Sequence, residues 1–533
     1  MWVTKARLRM SSSEFKSLRK GKSVEIYDTT LRDGAQATGV AFSLEDKLKI
    51  TKRLDGFVDF IEGGWPSSNP KDLEYFKAAR KLKLSSRISA FGSTMRVGLD
   101  PEDDVNLSNL LQAADVVAIF GKSWGLHIRK VLRTTPSENL RLIKESVNFI
   151  KKNGATTIYD AEHFFDGYVD DREYALKTLD AAGSADVIVL CDTNGGRTPS
   201  EIYRIVQDVR NRVNKPLGIH AHNDAGCAVA NTLMAVEAGA KHVQATVNGL
   251  GERAGNADLT SVLPALKFKM GLTVKDLRGL TRLSSFVYEI ANIQNDPYQP
   301  YVGKYVFSHK GGIHVDAMLK SDQSYEHLNP GLVGNSRNVS VSEQSGKASI
   351  VAKATEFGLK LNKSDPKVEE ILQSVKEYEK DGYKFENAEG SLYLLMLRKL
   401  GPKKNLFDVA SWTAIVYSDG DKVVADSTVT IRVGKKIIHT ASQGNGPVHS
   451  LDLALRKALK EVYPQAEKMK LAGYRVKEID SDKGTAAKVR VLIDFSNSHR
   501  SWSTVGVSEN ILEASKIALI DGYRYFLVIK QKD

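Results

Sequence analysis

Val24-Glu25-Ile26-Tyr27-Asp28-Thr29-Thr30-Leu31-Arg32-Asp33-Gly34-Ala35-Gln36 joins a short apolar run to an arginine and a carboxylate standing side by side. The run 24–27 reads as a strand, and the residues after it deliver a fixed cation and a hard oxygen ligand to one point. A second run closes in the same way at Ile219-His220-Ala221-His222-Asn223-Asp224. Residues i and i+2 of a strand share a face, so both imidazoles are directed toward one site. Asp33, His220 and His222 therefore make a candidate divalent-metal shell. Arg32 beside them is placed to meet a carbonyl oxygen that becomes negative. The combination points to metal-assisted chemistry that makes or breaks a carbon–carbon bond.

Outward from these two points, residues 24–270 alternate short apolar runs with amphipathic stretches. Strands are expected at 24–27, 58–62, 87–91, 115–120, 156–160, 186–190, 217–220 and 242–247. Helices are expected between them, for example at 43–54, 70–81, 137–152, 199–213 and 225–238, with an eighth after the last strand. Eight such units fit a (β/α)8 barrel, and a doubly wound open sheet is the alternative. The barrel is favoured because the chemically loaded residues lie at the C-terminal ends of many different strands, where barrels place their active sites. An open sheet concentrates them at its switch point and usually carries a glycine-rich phosphate turn, which is missing here.

Three further strand ends add to the set. Asp160-Ala161-Glu162-His163 brings two acids and a histidine out of a buried strand, which is costly unless they are paired or functional. Cys191-Asp192-Thr193-Asn194-Gly195-Gly196 offers short polar side chains that suit a small carboxylate. Asn248-Gly249-Leu250-Gly251-Glu252-Arg253-Ala254-Gly255-Asn256 is a glycine-rich loop whose Asn256 carbonyl is a candidate fourth ligand. Taken singly, Asp33-Gly34 reads as a plain turn, and Thr193 and Asn256 as structural residues; their recurrence at matching strand ends favours a shared site.

A chain of 533 residues calls for two or three domains. Charges interrupt every longer apolar stretch, so no membrane span is expected. Only Cys191 and Cys227 are present, which argues for a reducing compartment and a cytoplasmic protein rather than a disulfide framework. The net charge of +12 is spread along the chain and interleaved with acids, so it reads as solvated faces and not as a nucleic-acid surface. Such a field still helps to gather anionic substrates. Residues 1–22 are basic and read as a loose N-terminal extension, followed by the barrel at 23–275 and helical linker subdomains at 276–400. The linker carries a second polar cluster, Ser308-His309-Lys310-Gly311-Gly312-Ile313-His314. Gly401-Pro402-Lys403-Lys404-Asn405 reads as a connection to a separate α+β domain over 405–533, where a strand–strand–strand–helix pattern occurs twice.

Through Asp28–Gln36 the chain resembles the DRE-TIM metallolyase superfamily, and through 220–230 and 248–256 its acyl-CoA-condensing synthases. Glu62-Gly63-Gly64-Trp65-Pro66, Phe120-Gly121-Lys122-Ser123-Trp124 and Asp160-Ala161-Glu162-His163-Phe164-Phe165-Asp166-Gly167-Tyr168 are similar to the citramalate synthase branch. The likeness runs from about residue 24 to the C-terminus. It implies condensation of a 2-oxo acid, here pyruvate, with acetyl-CoA and water to give (R)-citramalate and CoA. Isopropylmalate and homocitrate synthases, which use larger oxo acids, are the nearest alternatives, and an acyl-CoA lyase is a further one.

The resemblance also implies roles for particular residues. Asp33, His220, His222 and Asn256 would hold the divalent cation, for which Mn²⁺, Zn²⁺ and Mg²⁺ all suit the ligands. Arg32 would bind substrate and stabilise the alkoxide, Glu162 would act as general base, and Thr193 would hold the substrate carboxylate. His314 matches a histidine that enters the partner subunit's active site in a homodimer. Ser442-Gln443-Gly444-Asn445-Gly446-Pro447-Val448-His449-Ser450-Leu451-Asp452 resembles the feedback domain of these synthases, with isoleucine as the expected effector. Trp65, Phe91 and Phe120, at the expected ends of strands two to four, are candidates for closing the pocket around a small oxo acid.

Overall fold

A computed structural model of the chain describes residues 23–321, 324–401, 406–480, 484, 486–497 and 500–529. The expected N-terminal extension and most of the expected connection at 401–405 lie outside these residues. The described chain forms two compact units, one from 23–307 with 328–336 and the other from 308–327 with residues 337 onward.

The first unit is a closed barrel of eight parallel strands: β1 Glu25–Asp28, β2 Phe60–Gly64, β3 Arg87–Ser93, β4 Val116–Lys122, β5 Thr156–Glu162, β6 Val187–Asp192, β7 Leu217–Ala221 and β8 His242–Ala245. Each strand pairs with the next, and β8 closes on β1 with Glu25 opposite His242 and Asp28 opposite Ala245. Strands β6 and β7 are buried at every position, as parallel strands covered on both faces must be. Their outward side chains, among them Ile188, Leu190 and Ile219, pack under the helices. The inward ones, including Tyr27, Phe60, Val116, Ile158 and Val189, fill the barrel, so the open volume is left at its C-terminal mouth.

Helix starts follow from capping chemistry. Ser43 and Asp46 form a reciprocal capping box before Leu44–Leu54, and Thr198 and Glu201 do the same before Pro199–Arg212. Thr135 caps Pro136–Lys152, whose first position is a proline that has no N–H to leave unpaired.

Strands β3 to β6 run about two residues further than the apolar runs alone predict. Lys122, Glu162 and Asp192 are thus strand residues, held by the barrel's own ladder. β1 ends at Asp28, one residue past the expected run. Asp28 accepts the Thr30 N–H at 3.0 Å and the Thr30 hydroxyl at 2.7 Å, which ends the strand in a local turn. Arg32 and Asp33 therefore stand on that turn, their N–H groups directed to the Thr29 carbonyl, and not on the strand end itself.

The second unit contains helices Gly312–Lys320, Lys347–Glu356, Pro366–Lys380 and Glu389–Leu400. Val368, Ile371, Leu372, Leu392 and Met396 are part of a core shared by the last three. It also contains two three-stranded antiparallel sheets. Asp408–Asp419, Lys422–Val433 and Lys436–Gly444 form one, followed by helix Pro447–Lys460. Lys470–Glu478, Val489–Ser496 and Ser501–Ser508 form the other, followed by helix Ile511–Ile529. The expected repeat of three strands and a helix is thus present. Among the described residues, no helix is long and apolar enough to cross a membrane.

Candidate active site

A cavity of about 520 Å³ opens at the C-terminal mouth of the barrel, and Arg32, Asp33, Glu162, Thr193, His220 and His222 line it. These residues come from the turn after β1 and from the ends of β5, β6 and β7. At its floor, Asp33 Oδ2 lies 3.4 Å from His220 Nε2 and 4.0 Å from His222 Nε2, and the two ring nitrogens are 3.3 Å apart. All three residues are buried, with one donor atom from each within 4.8 Å of the others. Metal–nitrogen and metal–oxygen bonds of about 2.0–2.2 Å let donors at this spacing share one ion. Asn256 donates through Nδ2 to Asp33 Oδ1 at 3.0 Å and to the Leu250 carbonyl at 3.1 Å, while its Oδ1 is buried without a hydrogen-bond partner among the described residues. A buried, unpaired acceptor beside a carboxylate and two converging imidazoles fits a divalent cation.

The electrostatics suit a cation at Asp33 and His222. Burial disfavours the Asp33 carboxylate, but Arg32 and His220 outweigh it and hold its pKa well below the usual range. Burial, with His220 next to it, lowers His222 to about 4, so its ring is neutral near pH 7 with a lone pair available. Burial acts on His220 in the same sense, but the Asp33 carboxylate prevails and raises it.

Arg32 is clamped. Its Nε donates to Glu62 Oε2 at 2.6 Å and its Nη1 to Asp33 Oδ2 at 2.8 Å, with the guanidinium 3.8 Å above the Phe91 ring. Glu62 is fully buried, and its other oxygen accepts the Tyr27 hydroxyl at 2.8 Å. Burial opposes the Arg32 charge, but Glu62 and Asp33 more than offset it, so the group stays cationic at every accessible pH.

Glu162 ends β5 directly opposite Lys122 on β4, and the two side chains form an ion pair at the rim of the cavity. The Thr193 hydroxyl oxygen accepts the His163 N–H at 2.8 Å, which leaves its own hydrogen to donate into the cavity. Trp65, Phe91 and Phe120 form one wall, with ring centroids 5.4–6.1 Å apart. His314 lies in the second unit, on helix Gly312–Lys320, exposed and stacked on Tyr325 at 4.4 Å between centroids.

Comparison with known proteins places this site in a family. The HMGL-like family model matches residues 23–287, the homocitrate synthase post-HMGL domain-like model residues 301–382, and the LeuA allosteric (dimerisation) domain model residues 386–527. The (R)-citramalate synthase of Geobacter sulfurreducens is 50% identical, covering 95% of this chain and 97% of its own length. That of Aquifex aeolicus is 48% identical, covering 96% of this chain and 99% of its own. The chain belongs to the (R)-citramalate synthase family. A probable 2-isopropylmalate synthase of Methanopyrus kandleri stands further off, at 32% identity over 94% of this chain and 97% of its own.

Three polar residues at this citramalate synthase family site, Glu62, Lys122 and Gln244, receive no role from the reading of strand ends, and Asp160 stands there without a partner. Glu62 lies in the middle of β2, Lys122 ends β4, and Gln244 lies inside β8, as Asp160 does inside β5. Burial raises Asp160 to about 7, with Glu62 adding to the effect. The available signal was a polar residue within an apolar strand: Gln244 lies between Val243 and Ala245, where an unpartnered amide would be costly.

Proposed function

We propose that the chain condenses pyruvate with acetyl-CoA and water to give (R)-citramalate and CoA, supplying carbon for isoleucine synthesis from pyruvate. The observation that carries the proposal is the clamped Arg32 guanidinium beside the Asp33–His220–His222 cluster, with Glu162 on the same cavity. Asp33, His220 and His222, with Asn256, would hold the cation, and when bound it supplies Lewis-acid polarisation of the keto group. The physiological ion is one of Mn²⁺, Zn²⁺ and Mg²⁺.

Glu162 takes a proton from the acetyl methyl group, and the carbon so formed attacks C2 of pyruvate. Negative charge gathers on the former keto oxygen, and Arg32 meets it with donors already oriented by Glu62 and Asp33. Removing one preorganised donor of this kind typically costs about 2.7–4 kcal/mol of barrier. Thr193 donates its free hydroxyl hydrogen to the pyruvate carboxylate. Water then cleaves the thioester and CoA leaves.

We take the active assembly to be a cytoplasmic homodimer in which His314 of the partner subunit completes the site. Residues 405–533 would serve regulation and dimerisation, with isoleucine as effector, and the allosteric domain match over residues 386–527 supports this reading. The deciding measurement is CoA release with pyruvate, 2-oxobutyrate, 2-oxoisovalerate and 2-oxoglutarate. Pyruvate should show the highest kcat/KM. A preference for 2-oxoisovalerate would assign the chain to isopropylmalate synthesis instead.

A further inference from the structure

The strand register places His220 of β7 directly opposite Gln244 of β8. Both are buried, as is Asp160 on β5. Gln244 Nε2 donates to Asp160 Oδ1 at 3.1 Å, and Gln244 Oε1 lies 3.0 Å from His220 Nδ1. An amide has donors at one end and an acceptor at the other. Because Asp160 takes the donor end, the acceptor end faces the ring, and His220 Nδ1 must carry the hydrogen between them. The lone pair of the neutral ring is then at Nε2, the nitrogen that faces Asp33 and His222. Among the described residues His222 has no such partner: its Nδ1 is buried and makes no hydrogen bond with them.

We propose that Asp160 and Gln244 are positioning residues, a two-link relay that locks the His220 ring in the tautomer and orientation its Nε2 needs to bind a cation. The proposal rests on the reading of Asp33, His220 and His222 as the cation site. It adds that one of the two imidazoles is prepared before the ion arrives and the other is not. A glutamine suits this task because its two ends differ. A carboxylate would face Asp160 as a second acid, and an apolar residue would leave the His220 Nδ1–H without an acceptor.

Two measurements test this. In the metal-free wild-type protein labelled with ¹⁵N-histidine, at alkaline pH where the ring is neutral, the His220 signal should report hydrogen on Nδ1. The signal is identified by its loss in His220→Gln. Hydrogen on Nε2 would overturn the proposal, and this result does not depend on whether the site binds a cation. Co²⁺ binding, followed by its visible absorption, gives the second measurement. Gln244→Met matches the shape but cannot accept the hydrogen, and should weaken Co²⁺ binding about 10- to 100-fold, the range expected for a lost outer-shell partner. Gln244→Glu restores an acceptor for the Nδ1–H but loses the donor to Asp160, and should recover only part of that loss. A Gln244→Met protein that folds and binds Co²⁺ as tightly as wild type would overturn the relay. Wild type that fails to bind Co²⁺ while showing the Nδ1–H tautomer would instead remove the cation reading and keep the relay's geometry.

Discussion

Arg32 Nε donates at 2.6 Å to Oε2 of Glu62, a fully buried carboxylate whose other oxygen accepts the Tyr27 hydroxyl. The guanidinium therefore reaches the cavity already oriented. Arg32→Lys should retain bound metal yet lose most activity, because a flexible ammonium cannot reproduce the fixed fork. Glu62→Gln keeps the shape but removes the paired charge, and a small displacement of a positioning group costs on the order of 100-fold in rate. Asp33→Ala should differ from both by losing the metal itself. Metal analysis beside kcat for the three variants separates these roles; metal loss in Arg32→Lys would contradict them.

The aromatic wall of Trp65, Phe91 and Phe120, with Trp65 edge-on to the stacked phenylalanines, limits the space beside Arg32. Shrinking one of these rings to leucine should raise kcat/KM for 2-oxobutyrate relative to pyruvate. One methylene is worth about 1–3 kcal/mol, so the ratio should move roughly 10- to 200-fold. Phe120 is the best first target, since Phe91 also supports Arg32 and Trp65 is tied to Asn106 through a 2.8 Å hydrogen bond. Unchanged ratios in all three variants would assign the rings to packing alone.

Burial raises the Asp28 carboxyl to about 7, although hydrogen bonds from Thr30 pull the other way. An unfolded aspartate loses its proton near pH 3.9. Between about pH 4 and 7 the folded chain thus holds a proton that the unfolded chain has released. The contribution is fully present below pH 4 and is lost as pH rises through 7, with a slope of order 1 kcal/mol per pH unit. Asp28→Asn should remove this component. Urea unfolding of both proteins at pH 4.5, 5.5 and 6.5 should show the wild-type advantage shrinking as pH rises; a constant difference would show that Asp28 does not carry the shift.

Isoleucine should inhibit more strongly than leucine or valine, through coupling of about 1–3 kcal/mol, or roughly 5- to 150-fold in affinity. Truncation after Leu400 should abolish inhibition, at a cost in stability. Asp521, on the last helix, accepts hydrogen bonds from Ser391 at 2.9 Å and Arg398 at 3.2 Å, so the cut strips the partner from helix Glu389–Leu400. Inhibition assays, thermal unfolding and solution mass of both proteins check this. Isoleucine inhibition surviving truncation would place the effector site outside the removed residues.

Strand and helix periodicity, with polar residues gathered at strand ends, sufficed for the barrel and for the repeated strand–strand–strand–helix pattern, because both are local signals of one element at a time. The same logic picked out Asp33, His220 and His222, since i, i+2 spacing and residue chemistry need no knowledge of neighbours. What the sequence alone determined about this protein is therefore its element order and the types of candidate ligand it carries. Which residues serve those ligands was decided only by tertiary register. Lys122 meets Glu162 because β4 pairs with β5, and Gln244 meets His220 because β7 pairs with β8. Glu62 meets Arg32 because the Asp28–Thr30 turn ends β1 and brings the arginine back over β2. These contacts join residues 24 to 40 positions apart, and no local periodicity encodes them; closure of the barrel supplies the alignment, and burial makes each polar pairing obligatory.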